Sequence, residues 1–220
     1  LSIFMKTLTM SFCIFVLLSS KEYIKVNSID KIEYLILILA SVLGMLIMIS
    51  SYDLIIFYLG LELQSLCLYI LASFKKDEER STEAGLKYFV LSALASGLLL
   101  YGCSLIYGFS GTTNFGVISE ILNKPSLGAT FGIVFIIVGL AFKISVVPFH
   151  MWTPDVYEGA PTSVTSFFAL IPKIAAVCVF IRFMYVPFIN MIGEWQTIIV
   201  FLSIASMILG AFAAIGQINI

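Results

Sequence analysis

The chain has 220 residues, of which 60% are hydrophobic and 11% charged, with a formal net charge of -1 and a mean hydropathy of +1.08. These values lie outside the range of water-soluble domains and describe a polytopic membrane protein of all-α class, while near-neutrality leaves no basic surface for nucleic acid. Cys13, Cys67, Cys103 and Cys178 are far apart in apolar sequence, with no CxxC or Cys/His cluster for zinc or an iron–sulfur centre, and no GxGxxG or GxxxxGK loop offers a nucleotide site.

About 20 apolar residues cross the hydrocarbon core as a helix, and this rule predicts seven spans, at about 2–20, 33–51, 53–74, 86–108, 128–153, 162–186 and 196–216, in a single membrane domain. The first is apolar apart from Lys6 and has no cleavage-site pattern, so it reads as a spanning helix rather than a leader. Lys21, Lys25 and Lys31 flank the connection after it, and Lys75, Lys76 and Arg80 flank the one two spans later, whereas the other side has chiefly Lys124. Both basic connections are therefore expected to face the cytoplasm or matrix, with the N-terminus outside and the termini on opposite faces. The short turn around Ser50 to Asp53 makes spans two and three antiparallel neighbours, with Asp53 as the helix N-cap.

The mixed-charge segment 75–85 reads as a solvated loop capping the fourth span. Within that span, the four-residue spacings of Ser92 with Ser96 and of Gly97 with Tyr101 suggest close helix packing. The connection 109–127, with Gly111, Thr112, Thr113, Asn114 and Pro125, reads as an aqueous loop holding a short interfacial helix near 115–122. Lys87 and Arg182 lie near span ends and read as interfacial anchors. Trp152, Trp195, Tyr157 and Tyr185 fit an aromatic belt.

Three ionisable residues remain at bilayer depth, where a charge costs roughly 2.5–3.5 kcal/mol on insertion scales. Glu62 is near the middle of the third span, and Tyr58, Ser65 and Tyr69 follow on the same helical face at offsets of -4, +3 and +7. Lys143 precedes SVVPFHMWTPDVYEGAPT, whose Pro148, Pro154, Gly159 and Pro161 are too dense for a continuous helix. The fifth span is thus predicted to break near 147–149, with Pro148 freeing the carbonyl of Ile144; broken backbone is tolerated at this depth where it lines a wet cavity. Lys173 follows Pro172 in the middle of the sixth span and has no carboxylate at helical spacing. His150, the sole histidine, is either a proton relay between the two lysines or a hydrogen-bonded structural group, and the residues leave both open.

The segments DLIIFYLGLELQSLCLYIL (53–71), STEAGLKYFVLSALASGLLLYG (81–102), FKISVVPFHMWTPDVYEGAPTSV (142–164) and PKIAA (172–176) resemble the antiporter-like subunit 2 family of respiratory NADH:ubiquinone oxidoreductase, complex I. PFHMW and the GLELQSL context look mitochondrial. The resemblance implies a membrane subunit of inverted five-helix repeats, each with one broken helix, in the mitochondrial inner membrane. Glu62 then matches the family's essential glutamate, Lys143 the lysine of the first broken helix, Lys173 the lysine of the next helix, and His150 the histidine after the break. It also implies that NADH, FMN, iron–sulfur clusters and ubiquinone belong to other chains of the complex, and that the partners are the other membrane-arm subunits. The chain stops at GAFAAIGQINI, where the family continues into a second repeat, so either a second polypeptide supplies that half, as a split gene would allow, or the sequence is a fragment of a longer chain.

On this reading a proton moves from Glu62 and Lys143 through water and His150 to Lys173, driven by electron transfer elsewhere. At roughly 7 Å and an effective dielectric of ~20, Glu62 and Lys143 would attract by about 2.4 kcal/mol, enough to redirect a proton when the pair separates. The alternatives are a stand-alone Mrp-type cation/proton antiporter and a structural subunit whose charges only hold helices together.

Overall fold

The computed structural model describes residues 2–27, 29–122 and 126–216; Leu1, Ser28, residues 123–125, with Lys124 and Pro125 among them, and residues 217–220 lie outside the described residues. The described helices are α1 (Ser2–Val26), α2 (Ile32–Ser50), α3 (Leu54–Ala72), α4 (Glu79–Ser110), α5 (Phe115–Ile121), α6 (Leu127–Ile144), α7 (Trp152–Gly159), α8 (Thr162–Tyr185) and α9 (Ile192–Gly216). All but α5 and α7 are long and apolar enough to cross a membrane, α9 together with the short 3-10 turn before it. The protein is an all-α polytopic membrane protein.

Helix ends follow local chemistry. Asp53 Oδ1 accepts the Ile55 and Ile56 amides and caps α3, Asn114 caps α5 in the same way, and Ser126 Oγ accepts the Ala129 amide to start α6. Gly111, at φ 67, closes α4 in the left-handed conformation that glycine adopts without steric cost. The charged segment 75–85 departs from its predicted loop and is helical from Glu79 onward. Glu, Arg and Ala favour helix, and Gly85 lets α4 run against Ser73, whose Cβ is 2.5 Å from where a side chain would begin.

The connections sort onto two faces. Lys75 Nζ donates to Asn27 Oδ1 at 3.2 Å, which joins the two basic connections, and the Thr162 amide donates to Tyr23 Oη at 3.2 Å on the same side. On the opposite side Thr113 Oγ1 donates to Asp53 Oδ2, and Asn190 Nδ2 donates to Ser119 O at 2.8 Å.

Packing between neighbours depends on glycine. A Cβ at Gly44 would sit 2.7 Å from Gly60 O and from Gln64 N, and one at Gly60 would sit 2.8 Å from Met48 N, so α2 and α3 meet backbone to backbone. Gly102 and Gly132 do the same for α4 and α6, and Gly139 faces Leu99 and Ala95. Gly97 has nothing within 4 Å of its would-be Cβ, so the predicted packing role belongs to Gly102 instead. These contacts bring α6 against α4 and set the end of α6 beside α3.

Candidate functional site

Lys143 sits in the last turn of α6, where a cation complements the exposed carbonyls of the helix end. The turn is closed by Ser145 in the left-handed conformation (φ 66), with the Val146 amide donating to Ala141 O at 2.9 Å. The side chain runs inward and is 7% exposed. Its Nζ donates to Ser65 Oγ of α3 at 2.7 Å and to Ser92 Oγ of α4 at 2.6 Å, and lies 5.8 Å from the centre of the Tyr69 ring. Tyr69 Oη also donates to Ser92 Oγ, at 2.7 Å.

Glu62 lies half-buried one turn before Ser65 on α3. No ion pair joins it to Lys143 among the described residues, although its carboxylate is an electrostatic neighbour of both Lys143 and Tyr58. Glu62 Oε1 is buried with no hydrogen-bond partner. The amine is therefore held by neutral hydroxyls with a carboxylate nearby but not in contact. A serine hydroxyl both donates and accepts, so this cradle accommodates an ammonium or a neutral amine by rotation alone, whereas a closed salt bridge would favour only the charged form.

The non-helical stretch after Lys143 covers residues 145–151 and is wider than the predicted break at 147–149. The helix stops at Ser145, three residues ahead of Pro148, because the left-handed residue has already turned the chain; Pro148 lies exposed within the break. Trp152 bridges the gap, its Nε1 donating to Phe142 O at 3.0 Å while its ring stacks on Tyr88 with centroids 4.6 Å apart. Phe142 O thereby accepts a second bond beside that from the Ser145 amide.

Lys173 is half-buried on α8, and its Nζ lies 5.2 Å from the centre of the Tyr157 ring. No hydrogen bond joins His150 to either lysine. Ser145 Oγ, His150 Nδ1, Thr153 Oγ1 and Tyr157 Oη are all buried without a partner, a concentration of unpaired polar atoms along the segment that leads from Lys143 to the ring beneath Lys173. Buried polar groups are ordinarily paired with protein or with ordered water. Glu62, Lys143, Ser65, Tyr69 and Ser92 thus form one cluster, and Lys173 with Tyr157 forms another.

Several peripheral residues depart from their predicted roles. Trp152 and Trp195 are core residues, 4% and 5% exposed, because each indole finds a backbone carbonyl inside the protein, Phe142 O and Phe188 O. Arg182 donates to Ile49 O at 2.6 Å and lies over the Tyr52 ring, so it caps the end of α2. Lys87 pairs with Glu83 and, at 2.8 Å, with Asp155, which ties α4 to α7. Ser92 was legible only as half of a packing motif, yet it holds the buried amine. Its position one turn before Ser96 within the apolar stretch of α4 is the available signal.

Seven apolar helices, one of them ending in a break beside a buried lysine, define a polytopic membrane protein with a buried polar cluster. A sequence profile described as NADH:quinone oxidoreductase/Mrp antiporter, TM, matches residues 51–220, and the chain belongs to this family. It is similar to NADH-quinone oxidoreductase subunit N of Pelagibacter ubique, at 67% identity over all of this chain and 47% of that protein. It also resembles a chain of respiratory complex I from Thermus thermophilus (35% identity, TM-score 0.67, 79% of this chain and 39% of that one). A chain of the Mrp complex from Dietzia sp. DQ12-45-1b is similar at 25% identity and TM-score 0.73, over 82% of this chain and 34% of that one. The chain spans about half the length of the curated relatives it matches. Among the described residues, no three or more His, Cys, Asp or Glu side chains gather as a metal-binding group.

Proposed function

We propose that this chain is part of a proton-translocating, antiporter-like membrane subunit of NADH:quinone oxidoreductase, in which Glu62, Lys143 and Lys173 carry protons and His150 relays between the lysines. The observation that carries this reading is the Lys143 amine, buried at the end of a broken helix and held by Ser65 and Ser92 rather than by a carboxylate. Such a site holds a proton without trapping it. Proton entry to Lys173 is assigned to the wetted stretch from Ser145 to Tyr157, where the unpaired atoms stand ready to bind water. Pro148 keeps that stretch from re-forming helix.

The similarity to subunit N at 67% identity supports membership of the redox complex. NADH, FMN, iron–sulfur clusters and quinone are assigned to its other subunits, and the other membrane-arm subunits are the partners. The chain contributes to a translocase without itself holding a redox cofactor. The finer assignment, subunit 2 of a mitochondrial inner-membrane complex, rests on PFHMW and the GLELQSL context; the identity to a bacterial protein favours a bacterial plasma membrane, and fractionation decides between them. A stand-alone cation/proton antiporter is the second reading, favoured by the TM-score of 0.73 to the Mrp complex.

Lys173→Met in the assembled complex tests the relay. NADH oxidation in uncoupled membranes is expected to persist while protons translocated per electron fall; an unchanged ratio removes Lys173 from the path. Cation-driven proton exchange without NADH oxidation would favour the antiporter reading.

A further inference from the structure

The break after Lys143 leaves backbone groups within the membrane that no helical partner can satisfy, and one of them is paired in an unexpected way. The Val147 amide donates to Ser206 Oγ of α9 at 3.0 Å, while Ser206 Oγ donates to Leu202 O one turn back at 2.7 Å. The hydroxyl is thus used fully, as acceptor to the break and as donor to its own helix.

Little else fastens α9 to the protein. Only Trp195 and Leu202 of its 25 residues are buried, and Phe201, Met207, Phe212 and Ile215 are each more than 60% exposed. The Trp195 indole bonds to Phe188, within the connection to α8, and Thr130 Oγ1 reaches Glu194 Oε2 at 3.4 Å near the helix start. Past Leu202 the polar attachment of α9 among the described bonds is the one to Val147.

Beside this bond lies an apolar cleft of about 270 Å³, lined by Ala141, Ile144, Val146, Phe180, Ile199 and Leu202 among others. Ala141 and Ile144 belong to the same helical end as Lys143, and Val146 is the residue whose amide closes that end onto Ala141. The break segment therefore has both a fastening, to α9, and unfilled space next to it into which its apolar side chains can shift.

We infer that Ser206 is a positioning residue for Lys143: through the Val147 amide, α9 holds the broken helix in the arrangement that keeps the amine in the Ser65–Ser92 cradle, and displacement of α9 releases the break into the adjoining cleft. α9 is then a strut through which motion elsewhere in the membrane reaches the buried lysine. Without this hydroxyl the half-buried Val147 amide loses its described acceptor.

This inference rests on the proton-carrying reading of Lys143, so the experiment includes both sites. In coupled membrane vesicles bearing the assembled complex, Ser206→Ala, Ser206→Thr and Lys143→Met are compared for NADH oxidation under uncoupled conditions and for protons translocated per electron. Ser206→Ala is expected to lower proton translocation by roughly fivefold or more, as loss of the Val147 amide's acceptor disfavours the held arrangement, with oxidation retained. Ser206→Thr, which keeps the hydroxyl, is expected to restore it. Normal translocation in Ser206→Ala alongside loss in Lys143→Met overturns the strut alone; normal translocation in both overturns the proton-carrying reading as well. If Ser206→Ala does not assemble, a cysteine pair at Val146 and Ser203 replaces it. Oxidation of the pair is then expected to suppress translocation and reduction to restore it, and equal translocation in both states overturns the strut.

Discussion

Lys143→Met is expected to leave the protein folded and assembled while reducing proton transfer through this subunit by roughly a hundredfold, the usual worth of a positioned acid–base group. The physical reason for expecting retained structure is specific to this cradle. Ser65 Oγ keeps its bond to Leu61 O at 2.7 Å, and Ser92 Oγ keeps the Tyr69 hydroxyl at 2.7 Å, so removal of the amine orphans neither hydroxyl. A methionine of similar length fills the volume, and because no ion pair joins Lys143 to Glu62 among the described residues, its removal breaks no buried salt bridge. Proton flux against NADH oxidation in coupled vesicles, with subunit abundance as the control, reads the effect. If the charges only hold helices together, the same variant lowers abundance and leaves the ratio of protons to electrons unchanged.

Gly60→Leu is expected to act in the opposite way, removing the protein before any function is measured. The would-be Cβ lies 2.8 Å from Met48 N and 2.9 Å from Gly44 O, both backbone atoms that cannot rotate aside. α2 and α3 must then separate, which exposes Met45, Met48 and Phe57 from the core and displaces the helix that carries Glu62 and Ser65. Overpacking of this kind costs about 3 kcal/mol. Gly97→Ala, where nothing lies within 4 Å, is the matched control and is expected to be neutral or slightly stabilising. Membrane abundance and thermal stability of the two variants measure the difference.

Hydropathy makes the membrane class and the apolar stretches visible because a 20-residue apolar run has few other fates, and Asp53 is readable as a cap because it stands directly before such a run. What stays hidden is what depends on a neighbour. Ser145 in the left-handed conformation ends α6 earlier than Pro148 would, and nothing in the identity of a serine signals that backbone state. Trp152 and Trp195 look interfacial by composition, yet each finds an internal carbonyl that no spacing rule foretells. The three ionisable residues stand out as costly within apolar spans, but that Lys143 is held by Ser92, 51 residues away in the chain, follows only from the glycine contacts that bring α4 against α6. Cost reveals that a charge is present; geometry reveals what holds it.

The sharpest measurement is the proton-to-electron ratio of Lys143→Arg at matched NADH oxidation. Arginine keeps the positive charge beside Glu62 and donates to the same hydroxyls, but it does not give up its proton at any accessible pH. A strongly lowered ratio in a normally assembled complex is expected if the amine at this position takes up and releases a proton in each cycle. A wild-type ratio would contradict that, leaving Lys143 as a fixed charge.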